Sequence, residues 1–75
     1  MTETLDKAGA GQAYEIIDFD DLSTRTQLMR FGLSVGQVIR CLAKAGPVII
    51  GKNRQRLAIG RNLARKILVK AVQAA

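Results

Sequence analysis

Two glycines four residues apart, Gly32 and Gly36, constrain the fold of this chain more than any other feature. They follow a helix-like segment that contains Leu28. A glycine that ends a helix takes a left-handed conformation and lets the next apolar residue, here Leu33, fold back onto the helix. A glycine at the third position of a type II turn needs a positive φ, which fits Ser34–Gln37. We therefore predict a short helix, a helix-ending glycine, a tight turn and then a strand.

The helix before the first glycine is predicted to run from Ser23 or Thr24 to Phe31. Either of the first two residues can cap its N-terminus. Leu28 and Phe31, with Leu22 before them, are predicted to form one apolar stripe that faces the core.

Short runs of β-branched and aromatic residues, separated by turn-forming residues, predict five strands. They are Ala13–Phe19, Gln37–Lys44, Val48–Lys52, Arg56–Ile59 and Ile67–Val69. A single helical turn over 60–65 precedes the last strand. This pattern predicts a mainly β fold with one short helix between strands 1 and 2, arranged as a small barrel that closes on itself and so removes exposed edges.

The 75 residues fit one domain. Residues 13–72 are predicted to form it. Residues 1–12 lack a periodic apolar pattern and are predicted to be a mobile N-terminal tail, and residues 73–75 a C-terminal tail. The start of the chain does not resemble a signal peptide, and Cys41 is the only cysteine, so we expect a cytoplasmic protein.

The charges are distributed unevenly along the chain. All six acidic residues lie within the first 21 positions, whereas the residues from Leu22 onward include eleven Lys or Arg and no acid. Such a surface favours a negatively charged partner: nucleic acid, an anionic membrane face or an acidic patch on a protein. Charge alone does not choose among them.

No residue pattern predicts catalysis, a cofactor or a metal site. The chain has no histidine, the commonest general base and metal ligand. Cys41 is predicted to be a buried structural thiol, since no base is available to activate it. The run Gly46–Lys52 approaches a phosphate-binding loop, but Asn53 replaces the required Ser or Thr and the interior is β-forming. The aspartates at 18, 20 and 21 are assigned to a solvated turn before the helix.

The basic residues of the second half are predicted to form a docking face for an acidic partner or a phosphate backbone, with a merely solvated rim as the alternative. They are Lys52, Arg54, Arg56, Arg61, Arg65 and Lys66. Small barrels that bind nucleic acid usually add aromatic side chains that stack on bases. The aromatic residues here, Tyr14, Phe19 and Phe31, lie outside the basic region and are predicted to be in the core.

Two sets of motifs resemble the FeoA family. The run Leu28-x-x-Phe31-Gly32-Leu33-x-x-Gly36-x-x-Ile39 is similar to its helix ending in Leu-Gly-Leu or Leu-Gly-Met, followed by Pro-Gly and a strand. The later segments Pro47–Ile50, Leu57–Ile59, Leu63–Ala64 and Ile67–Val69 resemble its second half. The resemblance covers roughly Tyr14 to Val72. Val35 stands where the family often has proline, and Gly60 where arginine is usual.

This resemblance implies an SH3-like barrel without enzymatic activity that serves bacterial ferrous iron uptake. It implies a protein partner, the FeoB membrane permease with its cytoplasmic G-protein domain, and recruitment by that partner to the inner membrane face. It implies neither a cofactor, nor nucleic-acid binding, nor membrane insertion. The candidate partner-binding residues are Arg30, Leu33, Val35, Lys52, Arg54, Arg56 and Arg61, with Gly32 and Gly36 as structural turn residues.

Two alternatives stay open from the sequence. One is a regulatory domain akin to the C-terminal SH3-like barrel of iron-dependent repressors. The other is a small basic barrel that binds nucleic acid.

Overall fold

Runs of β-branched and aromatic residues form strands here because such side chains pack well on a pleated, half-buried surface. The computed structural model describes residues 2–73. The strands are β1 (Thr2–Thr4), β2 (Ala13–Phe19), β3 (Val38–Ala43), β4 (Val48–Lys52), β5 (Gln55–Ile59) and β6 (Ile67–Val72). The helical segments are a 3-10 turn (Leu5–Lys7), α1 (Leu22–Met29) and α2 (Arg61–Ala64).

All strand pairs are antiparallel and join in one sheet with the order β1-β6-β2-β3-β4-β5. The predicted mainly β, SH3-like architecture is confirmed, with α1 between β2 and β3 and α2 directly before β6. The predicted number of strands is wrong, because β1 adds a sixth.

The sheet is not closed. Within residues 2–73, β1 pairs only with β6, and β5 pairs only with β4. The prediction that closure removes the edges is therefore wrong. Closure would require β1 and β5 to pair, but β1 is only three residues long and pairs with β6 alone.

The N-terminal segment was predicted to be a mobile tail, but the structure places residues 2–8 against the sheet. Glu3 of β1 pairs with Val69 of β6, and the side chains of Leu5 and Ala8 are completely buried. A single large apolar residue produces no periodic pattern, so the sequence gives no sign that Leu5 joins the core. At the other end, Ala74 and Ala75 of the predicted C-terminal tail lie outside the described residues.

Helix α1 begins earlier than predicted because Asp21, rather than Ser23 or Thr24, is its cap. The Asp21 carboxylate accepts a hydrogen bond of 2.7 Å from the backbone N–H of Thr24. This bond satisfies one of the unpaired donors of the first turn. Hydrogen bonds from Thr24, aided by the Lys66 ammonium 3.4 Å away, hold the pKa of Asp21 below its usual range.

The end of α1 has the geometry predicted from Gly32. The φ of Gly32 is +80°. Its N–H donates to the carbonyl of Met29 at 3.0 Å, and the Leu33 N–H donates to the carbonyl of Leu28 at 3.1 Å. These two bonds define a Schellman motif, and the buried pair Leu28 and Leu33 supplies its apolar contact.

The second glycine shapes the turn that follows. Gly36 has a φ of +92°, and the Gln37 N–H donates to the carbonyl of Ser34 at 3.2 Å. The same turn is attached to β2, because the Gly36 N–H donates to the Ile16 carbonyl and the Ile16 N–H to the Gln37 carbonyl, both at 2.8 Å. This direction change, residues 30–37, is called the corner below.

The core lies between the curved sheet, the 3-10 turn and the inner side of α1. Its large, fully buried members are Leu5, Ile16, Leu28, Leu33, Ile39, Cys41, Val48, Ile50, Ile67 and Val69. Tyr14 and Phe19 join them as predicted, and the Tyr14 hydroxyl accepts a hydrogen bond of 2.7 Å from the Gly9 N–H. No helix within residues 2–73 is long and apolar enough to span a membrane.

A candidate docking surface

The strands β3, β4 and β5 and their connecting loops carry positive charge alone. Residues 38–59 contain Arg40, Lys44, Lys52, Arg54 and Arg56 and no acidic residue. The two ion pairs found within residues 2–73, Arg65 with Asp6 and Lys66 with Asp21, both lie outside this part of the sheet. We call β3–β4–β5 with its loops the basic half of the sheet.

The tip of the β4–β5 hairpin presents two of the predicted residues. Arg54 and Arg56 are exposed on either side of Gln55. Asn53, which precedes them, has a φ of +55°, a conformation that asparagine tolerates better than most residues. Since no carboxylate lies within ion-pairing distance of either arginine among the described residues, both guanidinium groups are available to a partner.

Lys52 connects the basic half to the corner. Its ammonium group donates a hydrogen bond to the backbone carbonyl of Gly32, at the C-terminal end of α1. A positive charge is favourable at this end of a helix, where the carbonyl groups are unpaired. Two regions that are separate in the sequence are thereby joined into one surface.

The other predicted residues have different surroundings. Arg30, directly after α1, and Val35 are both exposed at the corner, and Val35 is 52% exposed. Arg61 is exposed at the start of α2 and donates a hydrogen bond to the carbonyl of Lys44. The prediction that Leu33 contacts a partner is wrong, since this side chain is only 1% exposed and packs in the core.

The sequence prediction missed three exposed apolar residues on and after α1. Leu22, Met29 and Phe31 are 73%, 53% and 51% exposed, although Leu22 and Phe31 were assigned to the core. The stripe was misread because Leu22 and Leu28 are six residues apart, which places them on different sides of a 3.6-residue helix. The inward pair is Thr24 and Leu28, with the spacing of four that a helix face requires.

Two grooves border the basic half, one on each face of the sheet. The first, of about 450 Å³, crosses the outer face of the basic half, where Gly51 separates Arg40 from Arg56 in register. The second, of about 240 Å³, lies between the end of α1 and β5 and is lined mainly by apolar side chains, among them Phe31, Leu57 and Leu63.

The described residues include one cysteine, Cys41, and no cluster of metal ligands. Cys41 is completely buried, and loss of solvation raises the pKa of its thiol, only partly opposed by the charge of Lys44. A raised pKa disfavours the nucleophilic thiolate. Residues 2–73 contain no group of three His, Cys, Asp or Glu side chains arranged to hold a metal ion.

The strand order, with α1 after β2 and a helical turn before β6, defines a small SH3-like barrel domain. Within that class the model of the FeoA domain matches residues 3–71, and the chain belongs to the FeoA family. The match includes β1 and the 3-10 turn, in agreement with the packing of the N-terminal segment.

Solved structures support this assignment. The crystal structure of an iron uptake regulatory protein (FeoA) is 30% identical, with a TM-score of 0.87 over 96% of this chain and 99% of that chain. The FeoA protein from Chlorobium tepidum is 27% identical, with a TM-score of 0.81 over 93% of this chain and 70% of that chain.

Similarity extends to part of a longer protein chain that binds a metal ion. ScaR with bound Zn²⁺ is 26% identical over 93% of this chain, which corresponds to 37% of the ScaR chain, with a TM-score of 0.82. No curated protein sequence matches the chain.

Proposed function

We propose that this chain is a non-enzymatic, cytoplasmic accessory adaptor of ferrous iron uptake that binds the G-protein-containing part of a FeoB-type permease. The FeoA family membership supports the link to ferrous iron transport. The observation that carries the docking role is the set of exposed arginines in the basic half, which have no acidic partner within residues 2–73.

The docking surface combines the basic half with the corner. Arg54 and Arg56 supply positive charge, while Val35 and Phe31 supply exposed apolar area. Protein interfaces characteristically place apolar and aromatic anchors beside arginine, and complementary charge accelerates association. The partner surface is therefore acidic around at least one apolar pocket.

Deletion of the gene tests the role in transport. We expect lower uptake of ferrous iron under iron limitation, restored by the wild-type gene on a plasmid. Undiminished uptake by the deletion strain would refute the transport role.

Charge reversal tests the docking surface. The double variant Arg54→Glu/Arg56→Glu should bind the purified cytoplasmic part of the permease at least about tenfold more weakly, as expected when close charge pairs are lost at an interface. Arg25→Glu reverses an exposed arginine on α1 and is the control for the single variant Arg54→Glu, which changes the net charge equally. If both proteins bind equally well, the basic half is not the docking surface.

A regulatory role is the second candidate, because the FeoA structure at 30% identity is that of an iron uptake regulatory protein. In that case this domain would bind another domain of a regulator rather than a permease. Co-purification from cells separates the candidates: capture of the permease supports the adaptor, and capture of a DNA-binding regulator with no permease supports the second role.

A further inference from the structure

Strand β5 has a free backbone edge. The turn Asn53–Arg54 closes the β4–β5 hairpin at the pair of Lys52 with Gln55. In an antiparallel pair, hydrogen-bonded and non-hydrogen-bonded positions alternate. Counting from the closing pair, Arg56 and Ala58 direct their N–H and C=O groups away from β4, and no strand within residues 2–73 pairs with that side.

An apolar groove runs beside this edge. Leu57, Ala58 and Ile59 of β5 line one wall, and Phe31 and Leu63 contribute to the remainder. Phe31 is 51% exposed there. A free edge next to such a groove is what strand addition requires, since the added strand gains main-chain hydrogen bonds and a pocket for alternate side chains.

Charge determines what kind of strand fits. Arg54 is exposed in the hairpin turn and Arg56 is exposed on β5, and the basic half contains no acidic residue. A second copy of β5 would bring these arginines close to their own counterparts, and like charges across a strand pair are destabilising. A segment with acidic side chains would instead be attracted to the edge.

We propose that β5 binds an extended segment of a partner protein by strand addition, and that this segment alternates apolar with acidic residues. Its apolar side chains enter the groove beside Phe31 and Leu57, and its acidic side chains lie on the opposite face beside Arg56. The inference deepens the proposed function and rests on it for the identity of the protein that carries the segment.

A synthetic peptide of the sequence Glu-Val-Glu-Val-Glu-Val-Glu, labelled with fluorescein, is the probe. Its affinity for the full chain is measured by fluorescence anisotropy. We expect saturable binding that is at least about tenfold tighter than that of a peptide of the same composition with all valines placed together, since only the alternating sequence fills the groove and faces the arginines at once.

Ala58→Pro is the decisive variant. Proline removes the Ala58 N–H, which no strand of the chain uses, and proline is tolerated at the free side of an edge strand. The variant should therefore fold, as checked by circular dichroism, yet lose at least about tenfold in peptide affinity through the lost main-chain bonds. Phe31→Ala and Arg56→Glu should each weaken binding as well, and Arg25→Glu should not.

Three results would overturn the proposal: equal binding of the two peptides, unchanged binding by folded Ala58→Pro, or self-association of the chain that Ala58→Pro abolishes. The third would make a second copy the occupant. Permease binding is measured with the same proteins. If the peptide binds at β5 and the permease does not bind at all, only the proposed function fails. If the permease binds Ala58→Pro normally, only strand addition at β5 fails.

Discussion

The two halves of the sheet differ in how their charges are used. In β1–β6–β2 the acidic and basic residues are interleaved: Glu15 pairs in register with Lys70, and Asp6 lies 3.8 Å from Arg65 beside the sheet. We call this the balanced half. In the basic half, residues 38–59, five Lys and Arg side chains have no acidic counterpart.

Exposed apolar side chains follow the same division. The large apolar residues exposed within residues 2–73 lie on α1, at the corner and on β3: Leu22, Met29, Phe31, Val35, Val38 and Leu42. None lies in β1, β2 or β6. The comparison indicates that acidic and basic residues are interleaved in the balanced half, whereas the basic half has no acidic residue and the corner exposes apolar side chains.

The largest expected loss of stability is for a substitution in the N-terminal segment, and it tests whether this segment packs against the balanced half. Leu5→Ala should lower the free energy of unfolding by about 2–4 kcal/mol, because it leaves a cavity at a completely buried site. Urea denaturation measures the change. Leu22→Ala, the same substitution at a 73% exposed position, should change stability by no more than about 0.5 kcal/mol. If both substitutions change the stability equally, residues 1–12 behave as the mobile tail predicted from the sequence.

Substitutions of the two glycines in the corner should cause the next largest loss of stability. Gly32→Ala and Gly36→Ala should each cost about 1–2 kcal/mol, since both residues have a positive φ that disfavours a Cβ atom. Gly46→Ala is the control, because a Cβ there meets nothing within 4 Å and φ is not left-handed. Melting temperatures of the three variants give the comparison, and an unchanged value for Gly32→Ala or Gly36→Ala would contradict that turn assignment.

The acid dependence of stability should reveal the α1 cap. The folded-state pKa of Asp21 is lowered, so its ionised form stabilises the fold above the unfolded pKa of about 3.9. That contribution is lost as the pH falls through the lower, folded pKa. Thermal melts from neutral pH to pH 2 should show a shallower acid decline for Asp21→Asn, whose amide oxygen caps without titrating. If the melting temperatures of both proteins fall equally with pH, the Asp21 cap does not contribute to the acid dependence of stability.

The smallest expected change in stability comes from replacing one arginine, and it is compared between the two halves. Arg65→Gln should cost at most about 1 kcal/mol by breaking the partly exposed ion pair with Asp6. Arg54→Gln, measured under the same conditions, should cost nothing measurable, since Arg54 has no acidic partner among the described residues. If Arg54→Gln lowers the free energy of unfolding more than Arg65→Gln does, Arg54 stabilises the fold and is not free for a partner.

Local rules predict much of this fold from the sequence. Gly32 and Gly36 could be placed because only certain backbone conformations end a helix or complete a type II turn. Five of the six strands could be located to within a few residues because β-branched runs alternate with turn residues. These sequence patterns depend only on neighbouring residues, and the structure has the turns and strands that they predict.

The remaining features depend on packing between distant residues. Nothing near Leu5 indicates that β1 pairs with β6, more than sixty residues away. The exposure of Phe31 also depends on what covers the end of α1, which no helix pattern can show. Arg54 and Arg56 could be listed as candidates from the sequence. Only the structure shows that Arg65 and Lys66 pair with acidic residues, and that Lys52 joins the hairpin to the corner through the Gly32 carbonyl.

The most direct test of the account is a map of the partner contact on this chain. Amide chemical shifts of the labelled protein are recorded as the cytoplasmic part of the permease is added. The account predicts changes concentrated in the basic half and the corner, around Arg54, Arg56, Phe31 and Val35, with β1, β2 and β6 unaffected. Changes concentrated in the balanced half, with the hairpin tip unaffected, would contradict it.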